Sequence, residues 1–272
     1  MQFRLPLILV ILGLLLSTLG CTLQKSQSSD VVEPTINAIR ERGTLLVGTT
    51  GDYRPLTYRE PDTNAYWGFD LEIAERIAKR IDVPLKYVQT SWPSLKDDVL
   101  QTTNFDFAIG GITITEARKA QMDMSQGYLR NGKTILCRKK DRKKYKTLAD
   151  LDKPRVRVMV NPGGLNEQFA RAKLPHATII VYPKNEEIPA QISAGKADVM
   201  ITEITEAPYY IKRDKRLAAP LLTQPFTQGE IGVLMRPGQS DLLQKINEVI
   251  LEMKNDGSLR ELHEKYGLIY GY

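Results

Sequence analysis

The tightest restriction on the architecture comes from the way short apolar runs alternate with segments of helical periodicity. Residues 44–49 form a brief apolar run closed by turn residues; Leu71, Ala74, Ile77, Ala78 and Ile81 then recur at helical spacing, and residues 85–88 read as a strand again. The alternation continues through apolar runs at 105–109, 156–160, 177–181 and 198–201. Strands separated by helices demand a parallel α/β architecture, and there are enough such units for two sheets. A last helix carries Leu242, Leu243, Ile246, Val249, Ile250 and Met253 on one stripe and is stopped by Asp256-Gly257.

The chain has 272 residues, room for about two domains, and with 42% hydrophobic residues it can bury a large core. Its first twenty residues carry a single charge, Arg4, and an apolar run over 5–16 broken only by Pro6 and Gly13. A run of about a dozen is short against the ~20 residues of a membrane span and reads as an export signal over residues 1–20. Residues 17–21, ending in Gly20-Cys21, resemble a bacterial lipobox with its leucine displaced by one place. The expectation is an exported protein, either acylated at Cys21 and tethered to a membrane or simply cleaved there. The polar, aperiodic stretch 21–34 is expected to be a flexible tether.

Only Cys21 and Cys137 are present, so no disulfide framework can form. His176 and His263 are isolated, give no metal site, and are expected on the surface. Of the net charge of +6, much sits in residues 138–146, where seven of nine are basic. This run reads as a solvated surface segment, with long-range attraction to an anionic membrane or substrate as the sharper alternative. An exported protein gives no reason to expect a nucleic-acid partner.

Open α/β sheets bind ligands beyond the carboxyl ends of their strands, where helix N-termini favour anions. Three loops satisfy that condition. Gly111-Ile112-Thr113-Ile114-Thr115 leads to Arg118, whose guanidinium can clamp a carboxylate through two parallel hydrogen bonds. Asn161-Pro162-Gly163-Gly164-Leu165-Asn166-Glu167 opens a helix with two glycines, and Thr202-Glu203 places an acid at a strand tip. Each alone is weak, since glycine after a strand usually serves the turn and an arginine on a helix is usually solvated.

Taken with residues 52–58, Gly68-Phe69-Asp70-Leu71-Glu72 and Lys196-Ala197-Asp198, these loops resemble the extracellular solute-binding proteins that feed amino acids to transporters. The resemblance covers the chain from about residue 35 onward. It implies an α/β, two-lobed type II periplasmic-binding fold with a ligand cleft between lobes joined by two crossing strands. Lobe 1 is expected over 35–133 and 228–272, lobe 2 over 134–227.

A narrower likeness is to the periplasmic cyclohexadienyl dehydratases, which convert prephenate to phenylpyruvate and arogenate to phenylalanine. It is carried by residues 90–95, 128–134 and above all 161–171. In those enzymes the acid corresponding to Glu167 is regarded as the general acid, and ordinary amino-acid binders lack it. Prephenate loses carbon dioxide and a ring hydroxyl to become aromatic, so what it needs is a proton for the departing hydroxide. To supply it near neutrality Glu167 must stay protonated well above the ordinary ~4.3. A positioned acid is worth about 10²–10⁴-fold. The resemblance further implies that Arg118, Thr113 and Thr115 hold one carboxylate and that the Gly163 and Gly164 amides, with Lys133 or Arg130, meet the other. Tyr53 and Trp92 would flank the ring, with Asn166 and Glu203 completing the site.

Structural alternatives stand beside these roles. An acid in a first helical turn stabilises the helix dipole, Asn166 could be a cap only, and Asp198 reads as a strand-end structural acid. Two positions depart from family patterns: Leu165 replaces a small hydroxyl residue, and Glu203 replaces the aspartate that in amino-acid binders meets the ligand's ammonium. The alternative function is a solute-binding receptor for an amino acid or related carboxylate, its partner an ABC permease. No cofactor or metal is implied by either reading.

Overall fold

The computed structural model describes residues 35–269; the expected export signal, the expected tether and Cys21 lie outside them. Two five-stranded sheets organise the chain. In the first, Leu45–Thr49 runs parallel to Leu85–Gln89 on one side and to Phe107–Ala108 on the other, and Leu234–Met235 and Asp123–Met124 complete the order. The second has the order Thr178–Val181, Arg157–Val160, Val199–Glu203, Lys133–Arg138, Leu217–Ala218. Both sheets lie in one compact unit.

The second sheet shows how residue alternation builds a two-faced core. Ile135, Cys137, Val158, Val160, Val199 and Ile201 are buried in one cluster, whereas Leu136, Met159 and Met200, one residue out of step, are buried in another. Side chains in a strand point alternately to opposite faces, and this sheet has apolar side chains packed on both. In the first sheet's layer the helix Phe69–Ile81 buries Leu71, Ala74, Ile77, Ala78 and Ile81, the stripe read from sequence. Helix Ser240–Asn255 buries Leu242, Ile246, Val249, Ile250 and Met253. It ends at Asp256 before Gly257, which takes the left-handed φ of 83°.

Between the sheets the chain crosses twice. Leu129–Asn131 leads out and Gly229–Ile231 leads back, paired antiparallel. The outgoing strand is followed at once by Lys133–Arg138, so the first residues of the second sheet sit next to the crossing. The loop that carries Thr113 is bound to the returning strand: Thr113 bridges Ile231, and the Ile114 N–H donates to the Glu230 carbonyl at 2.8 Å.

Of the basic run, Lys139, Lys140, Arg142, Lys143, Lys144 and Lys146 are exposed, as a solvated segment should be. Asp198 is the structural acid expected: it accepts from Arg138 and Arg157, and despite partial burial these partners pull its carboxyl down to about 2. His263 corrects the sequence reading. It is buried against the Phe69 ring, with Nδ1 at 2.7 Å from the Leu259 carbonyl, because its helix turns that face inward. Cys137 is a buried free thiol. Among the described residues no helix is long and apolar enough to cross a membrane.

Candidate functional site

A narrow cavity lies between the carboxyl ends of the two sheets. Tyr53, Trp92, Gly111, Thr113 and Arg118 form its first wall. Lys133, Asn161, Gly164, Leu165, Asn166, Asn185 and Glu203 form the second. The walls are joined directly, since the Tyr53 hydroxyl donates to Glu203 and the Asn185 amide donates to the Asp52 carbonyl at 3.1 Å.

Strand register creates the central feature of the second wall. Lys133 and Glu203 are directly opposed across the antiparallel pair Lys133–Arg138 and Val199–Glu203, so both side chains leave the same face as near neighbours. Lys133 Nζ lies 2.5 Å from Glu203 Oε1 and 2.7 Å from Asn166 Oδ1, with all three residues buried. Burial penalises the Glu203 charge, but Lys133 and the hydrogen bonds it and Tyr53 donate outweigh that and hold the carboxylate below its ordinary range. Asn166 is therefore a wall residue; the cap position of its helix belongs to Gly164.

On the first wall, Gly111 takes φ 80°, and a side chain there would collide with the Tyr53 ring, its Cβ only 2.2 Å away. Its N–H donates to the buried Asp70 carboxylate at 2.6 Å, which fixes the loop. Tyr53 meets Trp92 edge to face at 5.9 Å, and the Trp92 indole N–H donates to Asp52. Arg118 Nη1 donates to the Thr113 carbonyl at 2.6 Å; its other guanidinium nitrogens have no partner among the described residues, although the group borders the cavity. Thr113 Oγ1 reaches Glu203 at 3.4 Å.

Several expected site residues lie elsewhere. Thr115 caps the short helix Glu116–Lys119 by accepting from the Arg118 N–H and does not border the cavity. Arg130 is exposed. Gly163 also stays outside the cavity wall, packed against Pro93 with φ 74°, and its N–H is committed to Glu167.

Glu167 is placed differently from the neutral acid expected. Its carboxylate accepts from the Gly163 N–H and from Arg171 Nε, both at 2.8 Å, and does not border the cavity. Those hydrogen bonds hold it below the ordinary carboxylate range, the reverse of the neutral acid expected. The physical reason is local: Arg171 lies one turn further along the same helix, and the free N–H of Gly163 points back at the first turn.

The neutral acid is Glu206, which the sequence reading passed over. It is fully buried, its oxygens accepting from Thr202 Oγ1 and from Asn185 Nδ2. Burial, reinforced by the charges of Glu203 and Asp52, overrides those hydrogen bonds and raises its carboxyl to about 8. Glu206 lies immediately behind Asn185, whose Oδ1 is a buried acceptor without a partner. The only sequence signal was position: a second acid three residues beyond Glu203, just past a strand tip.

Residues 45–269 match the family of bacterial extracellular solute-binding proteins, family 3. The chain is 38% identical over 253 residues to the cyclohexadienyl dehydratase of Pseudomonas aeruginosa, with 93% of each protein covered. To the L-cystine-binding protein TcyJ of Escherichia coli strain K12 it is 30% identical over 234 residues, covering 86% of each. Its fold matches the crystal structure of the ancestral amino acid-binding protein AncCDT-1, a precursor of cyclohexadienyl dehydratase. The TM-score is 0.78 at 36% identity, over 86% of this chain and 99% of that one. With two α/β sheets, a double crossing between them and a match that starts at the first strand, this chain belongs to the bacterial extracellular solute-binding proteins of family 3 and has their two-lobed, type II fold.

Proposed function

We propose that the chain is a cyclohexadienyl dehydratase, acting on prephenate or arogenate, with Glu206 as the general acid. The observation that carries the reading is a carboxyl, raised to about 8, that lies fully buried one side chain behind the cavity wall, hydrogen-bonded to the lining residue Asn185, whose Oδ1 lacks a partner. A leaving hydroxyl needs both: an acceptor for its own hydrogen and an acid for its oxygen. Arg118 and Lys133 outnumber Glu203 among the charged groups of the cavity wall, which suits an anionic substrate.

The chemistry balances without a cofactor. The bond from the ring to its carboxylate breaks and releases carbon dioxide. Its electron pair shifts through the ring to expel the hydroxyl, which takes the Glu206 proton and leaves as water. Solvent then returns a proton to Glu206. Arg118 holds a carboxylate, and Tyr53 and Trp92 bound the ring. For the Glu206 proton to reach the hydroxyl, the Asn185 amide that covers Glu206 must turn aside.

The test is incubation of the purified protein with prephenate and, separately, arogenate, quantifying phenylpyruvate and phenylalanine, then repetition with Glu206→Gln. Product from either acid, lost in the variant, supports the reading. No product from either, together with tight binding of an amino acid, would make the chain a transport receptor instead.

A further inference from the structure

The densest charge on the chain lies away from the cleft, and tertiary structure makes it larger than any run in the sequence. Residues 138–146 and 212–216 hold eleven of the 38 lysines and arginines but two of the 32 acidic residues, which leaves the rest of the chain net negative. The strand pairing that sets Leu217 opposite Arg138 joins the two segments, and the Lys139 N–H donates to the Arg216 carbonyl at 2.6 Å. Arg138, Lys139, Lys140, Arg142, Lys215 and Arg216 consequently line one surface hollow. Both acids are already engaged: buried Asp141 accepts from Arg138 and Lys144, and Asp214 accepts from Arg216 and Ser193. These pairs leave the exposed ammonium groups of Lys139, Lys140, Lys143, Lys212 and Lys215 with no carboxylate partner among the described residues.

We infer that this face of the second sheet's lobe docks on an anionic phospholipid bilayer. Clustered cations without counter-charges raise a field that reaches about 8–10 Å at physiological salt, and an extended anionic plane answers more of it than a small ion can. A site for one small anion would converge buried donors on a point, whereas these cations are exposed and spread over two segments. A membrane surface is the extended polyanion that a member of an extracellular family meets. No apolar residue lines the hollow, so the attachment is electrostatic and reversible. The strand Lys133–Arg138 has its first residue in the cleft wall and its last in the hollow. Patch and cleft therefore lie at opposite ends of one sheet, and docking leaves the cleft uncovered.

The test is co-sedimentation of the purified protein with phosphatidylcholine vesicles, with and without about one third phosphatidylglycerol; the neutral vesicles set the baseline for any lipid carried by the chain. Partitioning at about 0.05 M salt should be at least about 10²-fold greater on the anionic vesicles, and should fall about tenfold or more at about 0.5 M. The triple variant Lys139→Gln, Lys140→Gln, Lys143→Gln should lose about tenfold or more. Lys79→Gln, Lys86→Gln, Lys96→Gln removes the same charge from exposed positions in the other lobe and should stay within about threefold of wild type. Equal binding to neutral and anionic vesicles overturns the inference without needing any variant, as does an equal loss in the two triple variants. Tighter binding to a DNA duplex than to the anionic vesicles, at equal phosphate and salt, would make the patch a nucleic-acid surface and overturns it too.

Discussion

Replacing Glu206 by glutamine should remove activity and strengthen the fold at once, and the size of the second effect depends on pH in a defined way. The folded protein retains a proton at Glu206 up to about 8, whereas the unfolded chain releases it near the ordinary 4.5. Stability from this site is therefore full below 4.5 and declines as pH rises toward about 8. Keeping the acid buried costs under about 1 kcal/mol at pH 5 and about 4 kcal/mol at pH 8. Glutamine has no such proton, keeps the shape, and can still accept from Asn185 while its amide faces the Thr202 hydroxyl. Thermal melts should show Glu206→Gln more stable than wild type at pH 8 by several degrees, with the gain nearly gone at pH 5. Dehydration of prephenate should fall by about 10²–10⁴-fold. In the wild type, activity should decline as pH rises through about 8. A variant less stable than wild type at pH 8, or one that keeps full turnover, would refute the assignment of a neutral buried acid.

Glu167→Gln should leave turnover within about threefold and cost roughly 0.5–1 kcal/mol of stability, because the residue anchors a helix start; paired melts and rate assays check both. Arg118→Lys loses the guanidinium fork and should raise KM by about 10²-fold with less effect on kcat, measured by steady-state kinetics. At Gly163 a Cβ would fall 2.6 Å from the Pro93 Cα on a left-handed backbone. Gly163→Ala should therefore cost about 1–2 kcal/mol and weaken ligand affinity, read by melts and calorimetry.

Periodicity made much of the fold legible. The stripe from Leu71 to Ile81 fits a helix only and is buried as its spacing requires, and the short apolar run 156–160 holds a strand buried on both faces. The wall residues Thr113, Arg118, Gly164 and Asn166 were legible too, because they fall after strand ends, whereas Tyr53 and Trp92 were legible only through the family resemblance. What stayed hidden depends on long-range contacts. Lys133 and Glu203 are 70 residues apart, and only the register of two strands reveals that they neutralise each other. Glu206 is neutral because the fold buries it completely and brings the charges of Glu203 and Asp52 near it, against the hydrogen bonds from Thr202 and Asn185. Glu167 is the converse case: its flanking residues resemble a catalytic segment, while the contacts of its carboxylate are local, with Arg171 and Gly163.

The twofold crossing at Leu129–Asn131 and Gly229–Ile231 has a mechanical corollary. When two rigid bodies swing about a pivot, each point travels in proportion to its distance from the axis. Lys133 and Thr113 sit beside that pivot, while Gly163 and Pro93 meet as opposing lips. An opening about that crossing would therefore part Gly163 from Pro93 far more than it moves the Lys133–Glu203 pair.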